Sequence, residues 1–237
     1  MNNKKIKILK DGPYLVSGSL PLETDIEVLG SDGEPEKWQK GESYPLQDNY
    51  ALCRCGHSAN KPFCDGTHAK LGFDGKETAK KRNYLEIAEK NPGPGVDLLD
   101  AECFCSIARF CHHAGDAWTL TENSADAVAK QIAIEEACNC PSGRLVALDK
   151  KSNEPIEPTL EPSLGLIEDT RHKVSGPLWV KGGIPIGSAD GSAYEIRDRV
   201  TLCRCGASTN KPFCNGAHIK NKFHDGYEFS DMEAGSL

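Results

Sequence analysis

Eight residues fall into two sets of the same types at the same spacing: Cys53, Cys55, Cys64 and His68, then Cys203, Cys205, Cys214 and His218. Three thiolates and one imidazole are soft-to-borderline donors, suited to zinc or to an iron–sulfur cluster. Zinc ribbons usually bring cysteines in pairs two to four residues apart, so that each turn wraps one ion. Here a single residue separates the first two cysteines. That is tight for one tetrahedral ion, but it suits two neighbouring ligands on one iron of a binuclear cluster, with Cys64 and His68 on the other. A zinc staple built from the same ligands is the alternative reading.

The frame around the ligands repeats as well. Residues 51–68 read ALCRCGHSANKPFCDGTH and residues 201–218 read TLCRCGASTNKPFCNGAH. Gly56 and Gly66 allow close backbone approach and positive φ, Pro62 stiffens the loop before Cys64, and Ser58 and Asp65 can orient ligands through hydrogen bonds. Upstream, Gly12-Pro13-Tyr14-Leu15-Val16 is echoed by Gly176-Pro177-Leu178-Trp179-Val180, and Tyr44 by Tyr194. The chain is an internal duplication of a unit of short strands, turns and a metal-type loop.

The loop resembles the CDGSH (mitoNEET-like) iron–sulfur family, whose pattern is C-x-C-x2-[ST]-x3-P-x-C-D-G-[STA]-H. Cys53 to His68 match it throughout. Cys203 to His218 depart at one position, where Asn215 replaces the aspartate and keeps a hydrogen-bonding oxygen without the charge. The resemblance implies a [2Fe–2S] cluster in each copy, redox activity, and lability to acid or redox change through the histidine. A neutral imidazole is a weaker donor than thiolate and leaves the cluster less negative, which raises its reduction potential, and its second nitrogen can couple electron uptake to a proton. Family members with one motif per chain form homodimers. Two motifs in one chain imply an intramolecular pseudo-dimer, with Phe63, Phe213, Tyr14 and Trp179 on the shared face, and a monomer then suffices.

Five cysteines remain. Cys105, Cys111 and Cys140-Pro141, with a helix between the last two, resemble a divergent single-cluster ferredoxin module over roughly residues 97–149. Ala108 stands where a [4Fe–4S] ferredoxin carries a further cysteine. Three cysteines suffice for a [3Fe–4S] cluster, and a fourth ligand for [4Fe–4S] would come from Cys103, Cys138, His112 or His113. A zinc site or a set of free buried thiols is the alternative.

The positioning elements are consistent with this. The expected class is α+β: two small β-rich modules, 1–80 and 171–237, flank a ferredoxin-like module and connector, 81–170. In the middle, Asn91-Pro92-Gly93-Pro94-Gly95 marks a turn. Ser124 is the expected cap of a helix from Ala125 to about Ala137, with Ala125, Val128, Ala129, Ile132 and Ala133 on one face. Pro141 stops it, Leu145 to Leu148 reads as a strand, and Glu154 to Pro162 as an extended connector.

Composition narrows the function. The 237 residues carry 38% hydrophobic side chains, 23 Gly and 14 Pro, so a modest core is expected to have further support, for which bound metal is the candidate. A net charge of -7 without a dense basic run disfavours nucleic acid, and no apolar run is long enough to span a bilayer. A cytoplasmic, reducing location is expected, where the 11 cysteines serve as ligands rather than disulfides. Dinucleotide, P-loop and G-x-S-x-G fingerprints are missing, so an enzyme is not expected. The expectation is an electron-transfer or cluster-transfer and redox-sensing protein, whose partner is a redox protein or an apo-iron–sulfur acceptor. A zinc-stabilised interaction module is the alternative.

Overall fold

A computed structural model describes residues 4–229. The first repeat forms β1 (Lys5–Ile8), β2 (Tyr14–Ser17), β3 (Leu22–Leu29), β4 (Pro35–Ser43), β5 (Asn49–Leu52) and one helical turn, α1 (Thr67–Lys70). The middle region forms β6 (Glu89–Asn91), β7 (Val96–Asp100), α2 (Ala117–Glu122), α3 (Ala127–Asn139), β8 (Leu145–Asp149) and β9 (Pro155–Ile156). The second repeat forms β10 (Ser163–Asp169), β11 (Val174–Lys181), β12 (Ile186–Gly187), β13 (Arg199–Leu202) and α4 (Ala217–Lys220). Its first strand thus begins upstream of residue 171. Among the described residues no helix is long and apolar enough to cross a membrane.

The two repeats exchange strands. One sheet runs β12-β1-β2-β5 and the other β13-β11-β10-β3-β4. The second repeat's β12 lies parallel to β1, pairing Ile6 with Ile186. The first repeat's β3 lies parallel to β10, pairing Leu164 with Leu22. Each repeat therefore completes the other's sheet, and the chain is an intramolecular pseudo-dimer. Alternation in β1 turns Ile6 and Ile8 inward and Lys5 and Lys7 outward. Every residue of β11 is buried, because that strand has neighbours on both edges and cover on both faces. Ile6, Ile8, Tyr14, Val16, Leu164, Leu166, Leu178 and Val180 meet in one core drawn from both repeats. Each such aliphatic chain contributes roughly 1.5–3 kcal/mol by leaving water.

The middle module is an antiparallel sheet, β6-β7-β8-β9, covered by α3. Pro92 to Gly95 turn the chain between β6 and β7. The helix differs from expectation at its start. It begins at Ala127, and Asp126 caps it by accepting from the Val128 and Ala129 amides. Ser124 Oγ accepts instead from the amides of Gly95 and Val96, at 2.9 and 3.2 Å, which anchors the β6–β7 turn. The buried face also differs: Ala133, Glu136 and Ala137 point inward, whereas Val128 is 65% exposed. The connector from Glu154 to Pro162 is extended as expected, except that Pro155–Ile156 pairs with Ala147 and Leu148 as an edge strand.

Candidate metal centres

Each ligand loop is folded back on the strand that precedes it. The Cys53 amide donates to Pro62 O at 2.8 Å and the Cys64 amide to Ala51 O at 2.9 Å, while Leu52 bridges Phe63. Cys203, Cys214 and the Leu202–Phe213 bridge repeat this with the same distances. The Lys61–Pro62 and Lys211–Pro212 peptides are both cis. After Cys64 and Cys214, left-handed glycines (Gly66, φ 85°; Gly216, φ 79°) reverse the chain into α1 and α4. That single turn brings each histidine back over the cysteine four residues earlier.

The donors meet in pairs. Cys53 Sγ lies 3.7 Å from Cys55 Sγ, and Cys203 Sγ 3.7 Å from Cys205 Sγ. Nδ1 of His68 lies 3.3 Å from Cys64 Sγ, and Nδ1 of His218 lies 3.5 Å from Cys214 Sγ. Among the described residues no three His, Cys, Asp or Glu side chains gather tightly enough to hold a single metal ion. Paired donors, one pair per metal, fit a two-iron cluster better than one tetrahedral zinc.

The surrounding electrostatics also fit a cationic core. Burial, followed by the neighbouring Cys53, pushes the Cys55 thiol up to about 11, and burial raises Cys214. In the second pair the Cys205 thiol, then the Ser208 and Gly206 amides, hold Cys203 down to about 6. Crowded thiols that cannot all ionise alone are relieved when iron neutralises them. Burial, with the nearby positive charges of Arg204 and His172, lowers His218 to about 4 and keeps its ring neutral as a ligand. Asp65 accepts from the Thr67 and Ala59 amides, which hold its carboxyl well below the usual range. Asn215 accepts from the Ala217 amide at 3.3 Å and donates to Thr209 Oγ1, so the geometry persists without the charge.

The arginine between each cysteine pair points away from the donors and fastens the loop. Arg54 donates to the carbonyls of Gly12, Gly75 and Leu9 at 2.7–2.8 Å. Arg204 donates to Gly176 and Ile167 carbonyls and pairs with Glu168 and Asp225. The two loops also touch each other across the pseudo-two-fold. A Cβ added at Gly56 would sit 2.6 Å from Cys205 O, and one at Gly206 would collide with Cys55 O. Tyr14, fully buried, donates to Cys203 O at 2.7 Å. Of the other expected contact residues, Phe213 packs on Tyr194, Phe63 on Tyr44 and Tyr50, and Trp179 on Trp38.

Among the middle cysteines, Cys105, Cys111 and Cys140 line one small cavity, and Cys103 and Cys138 do not. Burial, then the proximity of Cys140 and Cys105, pushes Cys111 up to about 12. Cys138 donates to Ile156 O, and Cys103 is exposed. His113 pairs with Asp32, and His112 lies against Trp118. Arg144, held in a two-point bond by Asp100 at 2.6 and 2.8 Å, also interacts with the Cys105 thiol. The donor set fits a cluster carried by three thiolates beside a fixed cation.

Two arginines absent from the sequence expectation join this module to the second loop. Arg199, on the strand that leads into Cys203, donates to the carbonyls of Ala137, Cys140 and Leu145 at 2.5, 2.8 and 3.1 Å and pairs with Glu157. Arg197 donates to Ser142 O at 3.1 Å. Their spacing of two, which puts both on one face at a strand start, was the available signal.

The comparisons agree with this geometry. A family model described as iron-binding zinc finger CDGSH type matches residues 11–69 and 175–219. A second, described as a divergent 4Fe-4S mono-cluster, matches residues 92–150. No curated protein matches the chain. The flanking repeats match the CDGSH-type iron-binding family and the region between them the divergent 4Fe–4S mono-cluster family, which together support an iron–sulfur protein.

Proposed function

We propose that the chain is a three-centre electron carrier. Cys53, Cys55, Cys64 and His68 hold one [2Fe–2S] cluster, and Cys203, Cys205, Cys214 and His218 hold a second. Cys105, Cys111 and Cys140 hold a [3Fe–4S] cluster, or a [4Fe–4S] cluster whose fourth ligand is not a cysteine. A bound cluster supplies one-electron storage; the protein supplies spacing and charge. The observation that carries the reading is contiguity. The two repeated loops touch backbone to backbone at Gly56 and Gly206, and Gly216 of the second loop abuts Ile107 of the middle module.

The chain's own residues set the conditions for transfer. Backbone amides at Cys203 and the neutral His218 ring limit the charge at the second loop, and Arg144 offsets charge at the middle one. The exchanged strands make these positions parts of one core, so little reorganisation accompanies electron uptake. The partner is a redox protein, and no substrate is turned over. Internal pairing of the repeats makes a single chain sufficient.

A second reading, handover of a cluster to an apo-acceptor, is favoured by the half-buried Cys64 and His68. Anaerobic redox titration monitored by EPR separates the two. Reversible reduction of all centres with magnetic coupling between neighbours supports the carrier. Loss of cluster on cycling, with appearance of holo-acceptor, supports handover.

A further inference from the structure

The pseudo-two-fold provides an internal control. Gly66 and Gly216 occupy equivalent places in the two loops with the same left-handed backbone. A Cβ built on Gly66 meets nothing within 4 Å, whereas one built on Gly216 runs into the Ile107 side chain, with Cγ1 at 2.6 Å. The ligands beside them differ accordingly. Cys64 and His68 are half-buried, whereas Cys214 and His218 are 2% and 3% exposed.

Ile107 lies two residues after Cys105, in the stretch leading to Cys111, with φ 62°. A β-branched residue is strongly disfavoured there and persists only where its surroundings hold it. Those surroundings are specific. Arg109 makes a two-point bond to Glu34 at 2.6 and 2.7 Å, and Phe110 stacks on Trp38 at 4.5 Å. Phe104 packs edge-on against Phe213 at 5.0 Å, and Asn210 donates to Cys103 O at 2.8 Å. Glu34 and Trp38 flank and occupy β4, a strand with no counterpart in the second repeat.

We propose that Ile107 caps the second CDGSH loop and makes the two repeated sites unequal in access. The first site is the one open to solvent reagents and to a redox partner. At the second, the Cys214–His218 side is closed and faces the middle module. The hairpin unique to the first repeat holds the cap in place.

The inference rests on the three-centre reading, so the test uses the loaded full chain. Iron removal by an excess of bathophenanthroline disulfonate is followed by absorbance. Iodoacetamide is added after the fast phase, and the labelled cysteines are identified by mass spectrometry. Two phases are expected, the slower by about tenfold, equivalent to about 1.4 kcal/mol of local opening. Cys64, half-buried, should be labelled, and Cys214, buried under Ile107, protected. Ile107→Ala should accelerate the slow phase alone. Ile107→Gly, which also relieves the backbone, should do the same, and an unchanged EPR signal from the middle centre shows that its loop is intact. A loaded protein that loses iron in one phase and labels Cys64 and Cys214 equally overturns the cap while leaving the three-centre reading standing. A protein without sulfide at the repeated loops overturns both.

Discussion

Replacing Gly56 by alanine tests whether the two repeated loops depend on each other. Gly56 and Gly66 have nearly the same backbone, φ 81° and 85°, so alanine at either costs about 1 kcal/mol from conformation alone. The surroundings differ. A methyl group at position 66 points into open space, whereas at position 56 it lies 2.6 Å from Cys205 O. An ordinary carbon–oxygen contact is ~3.2 Å, so the loops must part by ~0.6 Å in a region packed on both sides. Overpacking of this kind costs about 1–3 kcal/mol. Gly56→Ala should therefore cost about 2–4 kcal/mol and Gly66→Ala about 1 kcal/mol. In urea, that difference corresponds to a midpoint lower by roughly 0.5–1 M. Gly56→Ala should also bleach the visible absorbance of both repeated sites, because the displaced carbonyl belongs to a ligand of the second. Equal midpoints for the two variants would refute the argument that the loops are packed against each other.

Three further outcomes are expected. Arg199→Met removes donors from the carbonyls around Cys140 and leaves Glu157 without its partner; it should cost about 3–5 kcal/mol and weaken the EPR signal of the middle centre before those of the repeated sites. Glu34 is held down to about 2 by its bond to Arg109, then by Arg171. Its folded value lies below its unfolded one, so its contribution is complete above about pH 4.3 and is lost as pH falls toward 2; the thermal stability gap between wild type and Glu34→Gln should be level at neutral pH and close over that acidic window. His68→Cys adds a thiolate in place of a neutral ring, so it should lower the potential of the first site and slow its loss in acid; potentiometry and stopped-flow bleaching at pH 5 check both effects, and an unchanged potential contradicts the argument.

The repeated ligand loops were legible because donor types, glycines and proline all lie within short stretches and occur twice. The pseudo-dimer followed from that duplication, but the exchange of β3 and β12 did not, since parallel pairing between strands about 140 and 180 residues apart leaves no local pattern. The start of α3 was misplaced because both Ser124 and Asp126 are good caps. Only the tertiary position of the Gly95 and Val96 amides decides which side chain serves the helix. Its apolar face was misread because Ala125 and Val128 are exposed while Glu136 is buried, an inversion of side-chain preference that the surrounding fold imposes. Arg199 and Ile107 escaped for a related reason. Their importance lies in partners 42 to 109 residues away, which hydrophobic periodicity does not encode.

Metal and sulfide content tests the central claim most directly. Anaerobically purified protein should contain about seven or eight iron and a comparable amount of acid-labile sulfide per chain, without stoichiometric zinc, and should show EPR signals from more than one kind of centre on reduction or oxidation. Zinc at the repeated loops with no sulfide would leave the ligands in place but contradict the electron-carrier account.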